Sequence, residues 1–423
     1  MSRIVITGTG AICGAGQSPE AVLDAVLEGR SAIREITSFD VSAWPRRNAA
    51  EVADCNAAAL VGDRKLIKLI RRTDVFGIYA GGQAVGRAGW DAHREGLDEA
   101  ASTAFSEDTA CYVGSGGGAY NVNYDYFPLM AETHGDMPAF GRDLASQVNP
   151  MWLLRTLPNN VLCHVGIRHL LKGPNGCITH HTTGGILALG EAAQSIRDGE
   201  AQRALAVGHD TPVEPQMVLY YHRCGLVAEH TIRPFDVRHD GSVLGEGAAA
   251  VAVETEASAR ARGADVLGIY EGIGNLAEGE GLLALRPDGD GAIRAMRAAL
   301  DDAGVGTGDI GMIVAHGNGT PQSDASEAAA LRTVFGRAMP PVTAFKWVTG
   351  HPLAASGILD VSVGLAALRR GVVPGIAELA QLAPECEGVN ASSKSREPAG
   401  DRMLVLCRGF GGTNVAVVIR GAS

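Results

Sequence analysis

The chain has 423 residues, a formal net charge of −11, 46% hydrophobic residues and 20% charged residues. This length accommodates two large domains or one duplicated α/β domain, and the negative charge argues against nucleic acid as a general partner. No run of about 18 apolar residues occurs, so we expect no membrane span. The first residues lead into a strand without the apolar core of a signal peptide, so we expect a cytoplasmic protein.

Residues 3–10 predict a strand that ends in a glycine turn. Gly8, Gly10 and Gly14 are spaced G-x-G-x-x-x-G, and no acidic residue ends a second strand about 20 residues later, as a dinucleotide site requires. We therefore interpret these glycines as a tight turn and expect no cofactor.

The rest of the chain alternates helices and strands, which predicts a layered α/β fold. The predicted helices are residues 19–28, 66–88, 150–169, 186–196, 291–303, 325–335 and 357–370. The predicted strands are residues 177–178, 203–208, 248–254, 266–273, 311–315, 342–344, 403–406 and 415–419, and residues 110–118 predict a strand that leads into a glycine turn. Residues 120–137 and 211–230 are predicted loops. Each half ends in strand, connection, strand, which indicates a duplication and predicts two units, residues 1–254 and 255–423.

The eight cysteines form no C-x-x-C pair. Several of them lie in apolar runs, which predicts buried free thiols in a reducing compartment; these are Cys111, Cys163, Cys177 and Cys407. His180 and His181 are adjacent without a third ligand at suitable spacing, so we expect no metal site.

The segment from residue 173 to residue 185, GPNGCITHHTTGG, predicts a strand, a tight elbow and a helix. Such an elbow presents one side chain at a helix N-terminus, where backbone N–H groups favour developing negative charge. Thr182 or Thr183 is a suitable N-cap, and Gly184 and Gly185 allow another surface to approach closely. The side chain at the position usual for a nucleophile is that of Thr182.

Two other loops follow strands and carry polar residues in glycine-rich turns. His316 lies in AHGNGTP, and Lys346 and His351 lie in KWVTGH, before the helix that Gly357 opens. One such histidine is most often structural, but two of them, with a lysine five residues before one, favour a functional site.

Several motifs occur in one order along nearly the whole chain: VITGTGA at the start, GSGGG, RPFD and DGSVLGEGA, AHGNGTP, KWVTGHPLAASG, and GFGGTN at residues 409–414. In these motifs the chain resembles the β-ketoacyl-acyl-carrier-protein synthases of the thiolase superfamily. The resemblance implies a duplicated five-layer αβαβα fold, a dimer, and decarboxylative Claisen condensation on carrier-protein thioesters.

The resemblance also implies roles for individual residues. His316 and His351 correspond to the histidines that stabilise the enolate from malonyl decarboxylation, Lys346 to the lysine that orders one of them, and Phe410 to the residue that gates the pocket. The basic helix start carries Lys68, Arg71 and Arg72, which match positions where the family docks its acidic acyl carrier protein. A local basic cluster on an acidic chain would attract such a partner.

The family nucleophile is a cysteine, and here that position is Thr182. A helix N-terminus and nearby cations lower a thiol pKa from about 8.5 to about 4–7, whereas a threonine hydroxyl needs an adjacent general base. Homologues that lack the cysteine are known as chain-length factors. They pair with a true ketosynthase and shape its product pocket, but usually also lose the two histidines that this chain keeps.

Three hypotheses follow. In the first, the chain is a chain-length-factor-like subunit of a heterodimeric ketosynthase in specialised fatty-acid or polyketide biosynthesis, with an elbow inert to acyl transfer. Bulky residues would then form the tunnel wall, and the candidates are Tyr120, Tyr124, Tyr126 and Phe127. In the second, a homodimer acts alone as a malonyl-carrier-protein decarboxylase or acyltransferase through His316 and His351. In the third, Thr182 itself accepts an acyl group. Trp347 is large enough to fill the acyl channel.

Overall fold

The computed structural model describes residues 3–53, 55–116 and 126–422. In the first half the elements are, in order, β1 (Ile4–Cys13), α1 (Pro19–Leu27), β2 (Arg34–Glu35), β3 (Asn48–Ala49), α2 (Ala57–Val61), α3 (Arg72–Ala88), α4 (Trp90–Glu95), α5 (Glu99–Glu107), β4 (Thr109–Ser115), α6 (Phe127–Glu132), α7 (Met137–Gln147), α8 (Trp152–Thr156), α9 (Asn160–His169), β5 (Asn175–Thr179), α10 (Gly184–Arg197), β6 (Arg203–Asp210), α11 (Pro215–Arg223) and β7 (Gly247–Thr255).

In the second half the elements are α12 (Glu256–Ala261), β8 (Gly268–Ala277), α13 (Asp290–Ala303), β9 (Met312–Val314), α14 (Pro321–Phe335), β10 (Val342–Thr343), α15 (Lys346–Thr349), α16 (Ser356–Arg369), β11 (Arg402–Gly409) and β12 (Thr413–Gly421). No helix in the described part of the chain is long and apolar enough to cross a membrane.

Ten strands form one mixed sheet in the order β10-β9-β11-β12-β8-β1-β7-β6-β4-β5. Outward from the β8–β1 junction the two sides are equivalent, because each has two antiparallel pairings followed by two parallel ones. The duplication is thus visible in strand order and direction. The exact boundary after residue 254 falls at the end of β7 and stays a prediction.

Helices separate the two half-sheets and cover their outer faces. Helices α10 and α16 pack against each other and against β6, β7 and β11, which makes them the central layer. Helix α3 covers β1, β6 and β7 on one outer face, and α13, on which α14 packs, covers β8 and β12 on the other. This is the predicted duplicated five-layer αβαβα architecture, and the prediction is confirmed.

The glycines near the N-terminus serve packing. Gly8 and Gly10 lie inside β1, where a Cβ would come within 2.0 Å of the Ala84 carbonyl oxygen and 2.2 Å of the Ala80 carbonyl oxygen. Both carbonyls belong to α3, so the two glycines let this helix lie directly on the strand. The interpretation of these residues as a tight turn was wrong.

The structure corrects several other predicted elements. The predicted helix at 66–88 is a short 3-10 turn followed by α3, and that at 150–169 is divided into α8 and α9. Helices α6 and α11 lie where loops were predicted. Among the cysteines of the apolar runs, Cys163 is exposed and Cys177 is half-buried on β5, so burial is confirmed only for Cys111 and Cys407.

A buried carboxylate at the end of β7 bonds to several neighbouring segments and stabilises their packing. Glu254 is fully buried and accepts hydrogen bonds from Thr7 Oγ1 at 2.6 Å and Ser258 Oγ at 2.9 Å. The Arg262 guanidinium forms a buried ion pair with it and donates from Nε at 3.0 Å. Together these donors lower the pKa of Glu254 even though burial opposes ionisation.

Replacing Arg262 with Met is expected to lower the free energy of unfolding by about 3 kcal/mol, because it leaves the Glu254 carboxylate buried without its countercharge. Chemical denaturation measures this change. Arg260→Ala is the matched control, since Arg260 is 81% exposed and lies 3.7 Å from Glu256. Equal effects of the two substitutions would contradict the prediction.

Candidate active site

The elbow after β5 holds Thr182 in a short 3-10 turn, His181–Thr183, which runs directly into α10. His181 has a φ of 47°, in the left-handed region that side-chain-bearing residues rarely adopt. Thr183 occupies the N-cap of α10 but makes no capping bond, and its Oγ1 donates to the His180 carbonyl oxygen at 3.1 Å instead. Thr182 is only 2% exposed.

The loops that sequence reasoning singled out meet around one cavity of about 380 Å³. Thr182, His316, His351 and Phe410 all line it. The elbow comes from the first half of the chain and the other three residues from the second, so the duplication itself assembles the site.

His316 is buried just after β9, and a hydrogen bond from the backbone fixes its tautomer. The carboxylate of Glu327 accepts the N–H groups of His316 at 2.7 Å and Gly317 at 2.9 Å, which holds the loop. The Arg408 backbone N–H donates to His316 Nδ1 at 3.3 Å, so the proton of the neutral ring lies on Nε2. Burial, assisted by the Lys346 ammonium, lowers the pKa of His316 well below its usual value.

His351 lies beside His316, with the ring centroids 5.3 Å apart and the rings nearly perpendicular. Burial and the Lys346 charge lower its pKa well below the usual value, so both rings are neutral at neutral pH. Within the described part of the chain its buried Nδ1 has no hydrogen-bond partner. Such atoms are rare in folded proteins and each calls for an explanation, for example a catalytic role.

Lys346 is fully buried and donates from Nζ to Asp360 Oδ2 at 2.7 Å, on the first turns of α16. After burial, the Lys346 ammonium is the next cause of the lowered pKa of both histidines. Trp347 is also buried and donates from Nε1 to the Ala344 carbonyl oxygen at 2.9 Å. Among the described residues it is not part of the lining of this cavity and belongs to the hydrophobic core, and its interpretation as a channel block stays a prediction.

Sequence reasoning did not place His181 or Tyr221 at the site, yet both line the cavity. The His181 ring stacks on Phe410 with centroids 4.5 Å apart, and the Tyr221 ring lies 5.7 Å from Phe410 and 6.3 Å from His181. We call these three residues the aromatic partition. The only sequence signal for His181 was its position next to Thr182, and Tyr221 lay in a segment predicted as loop.

A second cavity of about 390 Å³ lies on the other side of the aromatic partition, whose three residues line both spaces. Its wall is mainly apolar but includes several ionisable side chains. Burial raises the pKa of Asp210 to about 7 and that of Asp74 to about 6, and burial lowers the pKa of His209 to about 4. This second cavity therefore combines an apolar wall with buried groups that titrate away from their usual range.

The three predicted docking residues have different surroundings. Lys68 is exposed and Arg71 is half-buried at the wall of the second cavity. Arg72 binds the Glu246 carboxylate through Nε and Nη2, both at 2.7 Å, and stacks on Phe76 with its guanidinium carbon 4.9 Å from the ring centroid. The structure therefore does not bring the three together as one free basic patch.

The candidate wall residues are only partly within the described chain. Tyr120 and Tyr124 lie outside the described residues. Tyr126 precedes α6 and contacts Phe127, Phe140 and Trp152 edge-on, away from the lining of either cavity. Phe127 is 42% exposed.

The duplicated five-layer architecture and the site between its two halves define a thiolase-like condensing enzyme fold. The sequence model described as "Beta-ketoacyl synthase, N-terminal domain" matches residues 1–259, and "Beta-ketoacyl synthase, C-terminal domain" matches residues 267–380. The chain therefore belongs to the beta-ketoacyl synthase family.

Relatives come from both fatty-acid and polyketide biosynthesis. The chain is 31% identical to 3-oxoacyl-[acyl-carrier-protein] synthase 2 of Coxiella burnetii, over 99% of this chain and 98% of that protein. It is also 31% identical to a beta-ketoacyl synthase of actinorhodin polyketide biosynthesis from Streptomyces coelicolor, over 99% and 89%. Among solved structures it resembles the ishigamide ketosynthase/chain length factor, with 26% identity, full coverage of both chains and a TM-score of 0.86.

The neutral state of His316 gives a pH-dependent prediction. The pKa of His316 is lowered on folding, so below about pH 6.5 the unfolded chain binds a proton at His316 that the folded chain does not. The free energy of unfolding therefore falls as the pH falls. His316→Gln removes that proton uptake. Below about pH 6.5 its free energy of unfolding should therefore fall less steeply than that of the wild type, by about 1.4 kcal/mol per pH unit.

Urea unfolding of both proteins between about pH 7 and about pH 5 tests this difference. Parallel dependences on pH would show that His316 is protonated in the folded protein, contrary to the prediction.

Proposed function

We propose that this chain is a ketosynthase-like subunit that pairs with a homologous subunit carrying the elbow cysteine, in fatty-acid or polyketide biosynthesis. The observation that carries the proposal is the side chain at the elbow: a buried threonine hydroxyl stands at the nucleophile position of an otherwise complete site. The buried Cys407 thiol, 3.5 Å from the Thr182 carbonyl oxygen, does not replace it, because burial raises its pKa to about 12.

An open sheet edge and several exposed apolar side chains support association with a second subunit. Strand β5 ends the sheet and pairs with β4 alone among the described strands. The segments before it expose large apolar side chains, namely Met137 at 63%, Leu153 at 61% and Ile167 at 71%. An open strand edge and exposed large apolar side chains are each typical of an interface, and the ishigamide relative is a ketosynthase/chain length factor.

The double variant Leu153→Glu with Ile167→Glu is expected to abolish pairing, because it places two charges in an apolar interface. The measurement is co-purification of this chain with a cysteine-bearing homologue encoded beside it, followed by sedimentation. Leu27→Glu is the control, since Leu27 is 38% exposed on α1, on a different element. A wild-type chain that forms only homodimers in the presence of that homologue would overturn the proposal.

A second candidate function is decarboxylation of a malonyl-carrier-protein thioester, favoured by the intact histidine pair. Two neutral imidazoles line the cavity, and each carries one N–H group that can donate to a thioester carbonyl oxygen as it becomes an enolate. The C–C bond to the carboxylate breaks, CO2 leaves, and protonation of the enolate carbon yields the acetyl thioester. This chemistry does not need a nucleophile at residue 182.

Malonyl-carrier protein incubated with the purified chain should release CO2 and leave acetyl-carrier protein. His316→Ala should lower the rate by about 100-fold or more, because one donor to the developing oxyanion is lost, whereas Thr182→Val should retain it. Mass spectrometry of the carrier protein follows the reaction. A rate unchanged in His316→Ala would remove this candidate function.

We further propose that the carrier protein is recognised through Lys68, which is exposed, as Arg72 also is. An exposed lysine attracts the acidic face of a carrier protein through long-range electrostatics. The bidentate pairing of Arg72 with Glu246 gives Arg72 a structural role in holding α3 against the segment just before β7.

A further inference from the structure

We propose that Thr182 is an acyl acceptor and His181 its general base, so that this subunit transfers acyl groups between carrier thiols through an O-acyl threonine. This activity goes beyond the proposed function, since it requires neither a cysteine-bearing partner nor decarboxylation. The elbow of this chain carries a hydroxyl, and a hydroxyl becomes a useful nucleophile only where a base lies within hydrogen-bond distance.

The structure contains such a base. Thr182 Oγ1 lies 2.9 Å from His181 Nδ1, and His181 Nε2 lies 2.6 Å from the Tyr221 hydroxyl oxygen. A nucleophile bonded to a base that a third group orients is the general signature of nucleophilic catalysis by hydroxyl side chains. The left-handed backbone of His181 brings its ring back towards the neighbouring side chain, and stacking on Phe410 fixes the plane of the ring.

The protonation state of His181 suits this role. Burial lowers the pKa of His181 to about 4, with a smaller effect from His180, so the ring is neutral at neutral pH. A neutral imidazole has one donor and one acceptor nitrogen. With Nε2–H donating to the Tyr221 oxygen, Nδ1 accepts the Thr182 hydroxyl proton, and Tyr221 acts as a positioning residue.

The proposed step balances without another reactant. Thr182 Oγ1 attacks the thioester carbonyl carbon, its proton passes to His181 Nδ1, the C–S bond breaks, and the proton passes to the departing carrier thiolate. His316 and His351 line the same cavity and can donate to the carbonyl oxygen. Attack by the thiol of a second carrier reverses the sequence and restores the hydroxyl. An oxygen ester is a weaker electrophile than a thioester, so carbon–carbon bond formation would stay with a cysteine-bearing partner.

The experiment uses the full chain with Cys224→Ala, because the exposed Cys224 also lines the cavity and could take an acyl group. The chain is mixed with radiolabelled acetyl-carrier protein, and label transfer to a second carrier protein is timed. We expect an acetyl adduct on Thr182 by peptide mass spectrometry, resistant to neutral hydroxylamine as an oxygen ester is. Thr182→Ser should keep adduct and transfer, whereas Thr182→Val should lose both.

His181→Phe removes the basic nitrogen but keeps an aromatic ring, since phenylalanine can still stack on Phe410. Transfer should fall by about 100-fold or more, with His180→Phe as the matched control because His180 is exposed and adjacent. If His181→Phe does not fold, His181→Asn replaces it. Absence of the adduct, or equal transfer by His181→Phe and wild type, would overturn the proposal. Subunit pairing and CO2 release are measured in separate experiments, so the two candidate functions are tested independently of this result.

Discussion

The site depends on backbone-to-backbone contact between the first turn of α10 and the sheet beneath it. A Cβ on Gly114 would lie 2.1 Å from the Gly184 carbonyl carbon, and one on Gly208 would lie 2.8 Å from the Gly185 Cα. A Cβ on Gly185 would also lie 2.5 Å from the Ala354 carbonyl oxygen, which belongs to the loop after His351. Side chains at these positions would push the elbow away from the second half of the chain. Close packing of glycines therefore holds Thr182 and the two histidines at one cavity.

Much of this arrangement could be predicted from the sequence, because turns with glycine and proline leave a local signal. The elbow and the AHGNGTP and KWVTGH segments were each predicted to follow a strand, and each does so in the structure, although residues 346–349, predicted as a loop, form α15. The fold class followed from the same motifs. The duplication brings the three segments together, because it repeats strand order and direction on both sides of the β8–β1 junction.

The remaining features could not be predicted, because they depend on geometry that sequence spacing does not encode. Neighbouring side chains on a turn ordinarily diverge, and only the left-handed φ of His181 brings its ring to the Thr182 hydroxyl. Trp347 follows Lys346 directly, yet the two side chains make different contacts, one in the core and one with Asp360. Helix α11 carries Tyr221 and has an aromatic, polar composition that predicted a loop.

The electrostatics of the cavity suit a neutral nucleophile better than a thiolate. A thiolate is stabilised by cations beside it, but burial keeps His181, His316 and His351 neutral, and the Lys346 ammonium is paired with Asp360. An un-ionised hydroxyl has no such requirement, because it needs only a hydrogen-bond acceptor, which His181 supplies. Thr182 and His181 are therefore best understood as one unit, because an un-ionised hydroxyl at the elbow suits the neutral imidazole beside it.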